Sequence, residues 1–203
     1  MASLFGQVVA TVWGRPAHAE RVVAALDALA PAARAEGIGA LGGRDMARLW
    51  EHCAGRPCTL EDFVPADTPP GVEVIHVGKN SLPALSHFEK RFCRTADRPG
   101  VAYGYNFSGA LVGATVGPGF FTARAHEGAP ESFGINYFEV PPAGAALPAG
   151  WPRVRPNEQG LQRFVYARMI DFMRRVVPGV TIGRAWRQGK PTSNYFVLAR
   201  SGG

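Results

Sequence analysis

The chain lacks a cysteine framework, has almost no lysine and contains no long apolar run. Its three cysteines, Cys53, Cys58 and Cys93, are an odd number at spacings that fit no disulfide scaffold. A zinc site would need a second ligand pair beside Cys53, Cys58 and the adjoining His52, and none exists, so no metal is assigned. Buried free thiols in a reducing compartment are expected instead. No segment approaches the roughly 20 apolar residues needed to cross a bilayer. Leu4 to Trp13 is apolar, and Ala17-His18-Ala19 has the small-x-small form of a cleavage site. No Lys or Arg precedes that run, however, and Gly6 and Gln7 interrupt it, which argues against a signal peptide. The expectation is a cytoplasmic protein with no membrane span. Charged residues are scarce at 19%, while 46% of the chain is hydrophobic, which excludes general disorder. No internal repeat is present, and no residue pattern identifies a family, a cofactor or a reaction.

What charge there is lies unevenly. From Trp151 to Gly203 there are ten Lys/Arg against two acids, Glu158 and Asp171, whereas the first 150 residues hold twelve basic and fourteen acidic residues. The whole net charge of +6 therefore resides in the last quarter. It is carried by arginine, with only Lys79, Lys90 and Lys190 as lysines. Arginine forms planar, bidentate contacts with carboxylate and phosphate. Such asymmetry points to a negatively charged partner without naming one.

The length suits one domain, with a helical segment over 1–65 and a strand-rich body over 72–203. Leu4 to Val12 is compatible with a strand. Ala17 to Ala30 carries Val22, Val23, Leu26 and Leu29 at helical spacing, and a second helix is predicted over Arg44 to Cys53. Pro65 to Gly71 is a connector. Strands are predicted over Val72 to Val77, Val101 to Phe107, Ala110 to Val116, Phe120 to Ala125 and Phe133 to Val140. Ser108-Gly109 is a two-residue hairpin candidate. Leu82 to Arg94 is ambiguous, because Leu85, Phe88 and Phe92 also have helical spacing. Pro141 to Pro156 is an irregular loop. Asn157 then caps the strongest predicted helix, which runs to about Val177. Its Leu161, Val165, Met169, Phe172 and Val176 form an apolar stripe opposite Arg163, Arg174 and Arg175. Val180 to Arg187 and Tyr195 to Arg200 complete a last hairpin. The predicted fold is α+β: a curved, mostly antiparallel sheet of six or seven strands packed against helix 157–177, with a ligand cavity between helix and sheet.

Chemistry-bearing residues concentrate between His76 and Arg94. Gly78-Lys79-Asn80-Ser81 resembles part of a phosphate loop, but Glu73 stands where that loop needs glycine and Asn80 where it needs Ser or Thr. His76 and His87 are acid–base candidates if they converge in space. Glu139, in an otherwise apolar strand, must point outward or pair with an arginine such as Arg124 or Arg184. Asn106 precedes a turn, and Tyr137 shares a strand with Glu139. Arg184, Trp186, Arg187 and Lys190 place cations beside an aromatic near a hairpin tip.

These residues favour binding of a small anionic or amphipathic molecule in a sheet–helix pocket. Lys79, Asn106, Arg124, Tyr137, Arg184 and Trp186 are the ligand-binding candidates. His76, His87 and Glu139 would serve acid–base catalysis if the protein is an enzyme. The rival is a nucleic-acid or acidic-partner binding module that uses the basic C-terminal region. The cofactor and the oligomeric state stay open.

Overall fold

The structure, a computed structural model, describes residues 18–82, 86–109, 117–126 and 132–202. Eight strands pair in chain order, each antiparallel to the next, and the last returns to the first to close a barrel. They are β1 (Val74–Asn80), β2 (His87–Arg94), β3 (Ala102–Phe107), β4 (Phe120–Ala125), β5 (Phe133–Asn136), β6 (Met169–Val177), β7 (Val180–Arg187) and β8 (Lys190–Arg200). Closure comes from the β1–β8 ladder, in which His76 opposes Arg200 and Asn80 opposes Phe196. The predicted sheet packed on one long helix is therefore corrected to a closed barrel, which leaves no free sheet edge. Among the described residues no helix is long and apolar enough to cross a membrane. The expected strands over Leu4 to Val12 and Ala110 to Val116 lie outside the described residues.

Closure is written into cross-strand pairs of glycine and phenylalanine. Gly78 opposes Phe88, Gly104 opposes Phe121, and Gly183 opposes Phe196. In each pair the ring lies over the glycine on the inner face. A Cβ on Gly78 would sit 2.6 Å from Phe88 Cζ, and one on Gly104 would sit 2.5 Å from the Arg91 carbonyl oxygen. Glycines at inward positions let strands coil tightly, and the facing rings fill the space that a missing side chain leaves.

Helix 157–177 does not form. Only α4 (Gln162–Val165) is helical there, and Leu161, Phe164 and Val165 are exposed. Met169 to Val177 is strand β6. The misleading pattern has a physical origin: β6 is covered on both faces. Asp171 and Met173 point into the barrel, while Phe172 packs against the outer cluster. Apolar residues on both faces erase the alternation of a half-exposed strand and imitate a helical stripe. The β-branched and aromatic residues Ile170, Phe172, Val176 and Val177 then favour extended backbone. Asn157 is no helix cap. It is fully buried, and its Nδ2 donates to the carbonyls of Phe120 at 2.7 Å and Tyr137 at 2.8 Å.

Three N-terminal helices form: α1 (His18–Ala28) and α3 (Gly43–His52) where the spacing predicts them, and between them α2 (Pro31–Ile38), which the spacing does not predict. Pro31 opens α2, where its missing N–H costs no bond. The helices lie outside the barrel. Leu26, Ile38, Met46 and Leu49 pack on Val180, Ile182, Val197 and Ala199 of β7 and β8. A 3-10 turn (Leu60–Asp62) then sends Phe63 and Val64 into one end of the barrel, among Phe92, Phe133 and Ala102. Phe63 stacks on Phe133 with centroids 4.6 Å apart. That end is plugged. The irregular loop 141–156 covers the outer face of β3, with Trp151 set edge-on to Tyr105.

Candidate functional site

Toward the other end of the barrel, four polar side chains from four strands or strand ends meet inside. Lys90 comes from β2, Asn106 from β3, Tyr137 from the residue after β5, and Asp171 from β6. Lys90 and Asp171 are each 2% exposed. Lys90 Nζ donates to Asn106 Oδ1 at 2.8 Å, to Asp171 Oδ2 at 3.2 Å and to the Tyr137 hydroxyl. The Tyr137 hydroxyl donates to Asp171 Oδ2 at 3.2 Å. Asn106 Nδ2 donates to the Gly119 carbonyl at 3.0 Å and to Tyr137 at 3.2 Å. Around the ammonium stand the rings of Phe88, Phe121, Tyr137 and Phe196, with centroids 5.0 to 5.6 Å away. Phe88, Phe121 and Phe196 surround the cation with ring π-systems, whereas Tyr137 meets it through its hydroxyl.

Burial dominates the electrostatics. It lowers the Lys90 pKa, and the neighbouring Asp171 carboxylate opposes that shift. It raises the Asp171 pKa against the pull of Lys90. The Tyr137 phenol is pushed well above its ordinary value by burial and then by the Asp171 charge. The same two causes carry Tyr166, stacked on Tyr137 with centroids 5.4 Å apart, to about 12. Both tyrosines are thus neutral hydrogen-bonding groups near neutrality.

The cluster forms the inner end of a cavity of about 400 Å³. Phe88, Met169, Tyr166 and Phe196 form its walls. Leu82, Phe164 and Val165, all exposed, form its rim. An eight-stranded barrel is wide enough for its own side chains or for one small ligand. A larger cavity, about 550 Å³, lies against the outer face of β6 and β7 between His126, Phe172, Trp186 and Arg174. It holds no buried charge pair. The expected sheet–helix pocket is thus replaced by a pocket inside the sheet itself.

Of the predicted residues, Asn106 and Tyr137 meet in this cluster. The others do not join them. His76 opposes Lys90 in the β1–β2 ladder, but its fully buried ring turns toward the plug, where its Nε2 bonds to the Phe63 carbonyl at 2.8 Å. Desolvation lowers its pKa to about 4, so it is a neutral ring. His87 is exposed at the start of β2, and Lys79 donates to Ser86 Oγ at 2.9 Å. Glu139 leaves the strand before its side chain can turn inward, because β5 ends at Asn136. Its carboxylate pairs with Arg124 Nη2 at 2.9 Å on the outside. Arg184 Nε donates to the Thr192 carbonyl at 2.8 Å, and Trp186 packs on Phe172 in the outer groove.

Lys90 and Asp171 were legible only with β2 and β6 read as strands. Lys90 then stands between Phe88 and Phe92 on one face of β2. Asp171 stands between Met169 and Met173, and it is one of just two acids in the last 53 residues. A lone charge on an apolar strand face is the available signal.

No protein family, curated protein or solved structure matches this chain. The three cysteines are free and buried, and burial raises all three thiol pKa values. Among the described residues no group of three His, Cys, Asp or Glu side chains converges to hold a metal.

Proposed function

We propose that the open end of the barrel binds a small amphipathic molecule. Its polar end meets the Lys90–Asn106–Tyr137–Asp171 cluster, and its apolar body lies against Phe88, Met169, Tyr166 and Phe196. The observation that carries this reading is a fully buried, mutually bonded charge cluster at the inner end of an accessible cavity. A buried ion pair is a poor stabilising device, since well-packed apolar residues in its place are often as good or better. Polar groups in an otherwise aromatic barrel interior are better explained by recognition of a ligand. The exposed rim of Leu82, Phe164 and Val165 is an apolar surface of the kind that marks a ligand entrance.

Acid–base catalysis by His76, His87 and Glu139 is not part of the reading, because these residues lie at three separate places. The nucleic-acid rival has less support. Arg174 stacks on Trp50, Arg175 pairs with Asp62, and Arg187 donates to the carbonyls of Phe164 and Val165. These arginines have internal partners on different sides of the barrel.

The test is a thermal-shift screen of small amphipathic molecules against the wild type and Ala185→Phe. Ala185 lines the cavity and faces Asp171 across the β6–β7 ladder, so a phenyl ring there fills the pocket. A ligand at 100 times its Kd should raise the midpoint of the wild type by about 5–10 °C and leave the variant unmoved. Shifts of equal size in both proteins would contradict the reading.

A further inference from the structure

The hydrogen bonds of the cluster leave one polar atom over. All three Lys90 protons are engaged, by Asn106, Tyr137 and Asp171. Both protons of the Asn106 amide are engaged, and so is the Tyr137 hydroxyl proton. Asp171 Oδ2 accepts from Lys90 and from Tyr137. Asp171 Oδ1 is buried and has no hydrogen-bond partner. A buried carboxylate oxygen without a donor carries its full desolvation cost, so such atoms are rare and call for an explanation. Asp171 lines the cavity. Among the described residues, the unmet demand at the inner end is therefore for a donor.

The charge balance points the same way. Lys90 and Asp171 neutralise each other at 3.2 Å, so the cluster offers no surplus positive charge. The cations that the sequence suggested as anion holders lie elsewhere: Lys79 bonds to Ser86, Arg124 pairs with Glu139 and Arg184 bonds to Thr192. Arg187, the cation at the rim, is held by the Phe164 and Val165 carbonyls at 3.1 and 2.7 Å. A ligand carboxylate at the inner end would face the Asp171 carboxylate with every Lys90 proton already taken.

Resting on the barrel-pocket reading above, we propose that the ligand is a neutral alcohol or phenol whose hydroxyl donates to Asp171 Oδ1, carried on an apolar or aromatic body, and that the site rejects the corresponding acid. A site built to bond a hydroxyl discriminates strongly against an analogue without it, because the protein atom is then left unpaired.

Three matched probes test this on the wild-type protein: 1-naphthol, 1-methoxynaphthalene and 1-naphthoate, with affinities measured by calorimetry at pH 7. The expected result is that 1-naphthol binds at least tenfold more tightly than either analogue, and that Ala185→Phe abolishes its binding. Equal or tighter binding of the ether or of the naphthoate, lost in Ala185→Phe, overturns the hydroxyl-donor proposal and leaves the pocket standing. Binding of none of the three, or naphthol binding that survives Ala185→Phe, overturns the pocket reading and the proposal together.

Discussion

Lys90 and Asp171 have little to do with holding the barrel together, yet neither can be removed alone. Replacing one of them by an apolar residue leaves the other charged and buried, which costs about 3–5 kcal/mol. Lys90→Met and Asp171→Leu should each show that loss in urea denaturation. The double variant should be more stable than either single one, because no uncompensated charge remains. Additive losses would contradict the pairing. His76 gives a second residue-scale prediction. Its folded pKa of about 4 lies below the ordinary 6.5, because protonation would charge a ring with no water and would leave Nδ1 as an unpaired donor. The unfolded chain therefore takes up a proton between pH 6.5 and 4 that the folded chain refuses. The contribution is present above pH 6.5 and is lost as pH falls to 4, with a total on the order of 3 kcal/mol. His76→Phe should remove that share of the pH slope, and an unchanged slope would contradict it. At this scale the sequence was only partly informative. Asn106 was legible from its place before a turn, and Tyr137 from the strand it shares with Glu139. Glu139 itself, the residue that broke an apolar pattern, pairs with Arg124 away from the cluster. Lys90 and Asp171 were missed, because β2 was left undecided and β6 was read as helix.

Among the elements, the glycine–phenylalanine pairs govern curvature. Gly104 is the most constrained, because an added Cβ meets the Phe121 ring on one side and the Arg91 backbone carbonyl on the other. The ring can turn, but the carbonyl belongs to the β2–β3 ladder. Gly104→Ala should cost about 1–3 kcal/mol through overpacking, measured as a lowered denaturation midpoint. Gly150→Ala tests something else, since its left-handed φ of 85° is strained for alanine while nothing lies near its Cβ. Helices α1 and α3 were legible because each has one buried stripe, whereas α2 buries only Gly37 and Ile38 and has no stripe to read. The β7–β8 hairpin was legible as well, although its turn is shorter than predicted: Gln188 and Gly189 both have positive φ, which fits the primed turns that join twisted strands. β6 was misread because it is buried on two faces. That circumstance belongs to the closed barrel and cannot be seen in the segment itself.

Across the whole molecule, the uneven charge acquires a structural use. Arg174 lies 3.8 Å over the Trp50 ring and donates to the Trp50 carbonyl at 2.5 Å. Arg175 Nε pairs with Asp62 at 2.8 Å. Basic strands near the C-terminus thus tie down the acidic N-terminal segment that plugs and covers the barrel. Sequence shows the imbalance but not that the two halves meet, because closure depends on β1 finding β8 across more than 100 residues. Arg174→Ala should cost about 1–2 kcal/mol through lost stacking and one lost hydrogen bond, read by denaturation.

Where ligand contacts the protein is the point on which the account turns, because two cavities compete. The most direct measurement is a ¹H–¹⁵N NMR titration of the wild type with 1-naphthol. Binding inside the barrel should perturb the Asn106 side-chain amide and the backbone amides of Met169, Ala185 and Phe196, with the Trp186 indole N–H unmoved. Perturbations centred on Trp186, Phe172 and His126, with Asn106 silent, would put the ligand in the outer groove and contradict the account.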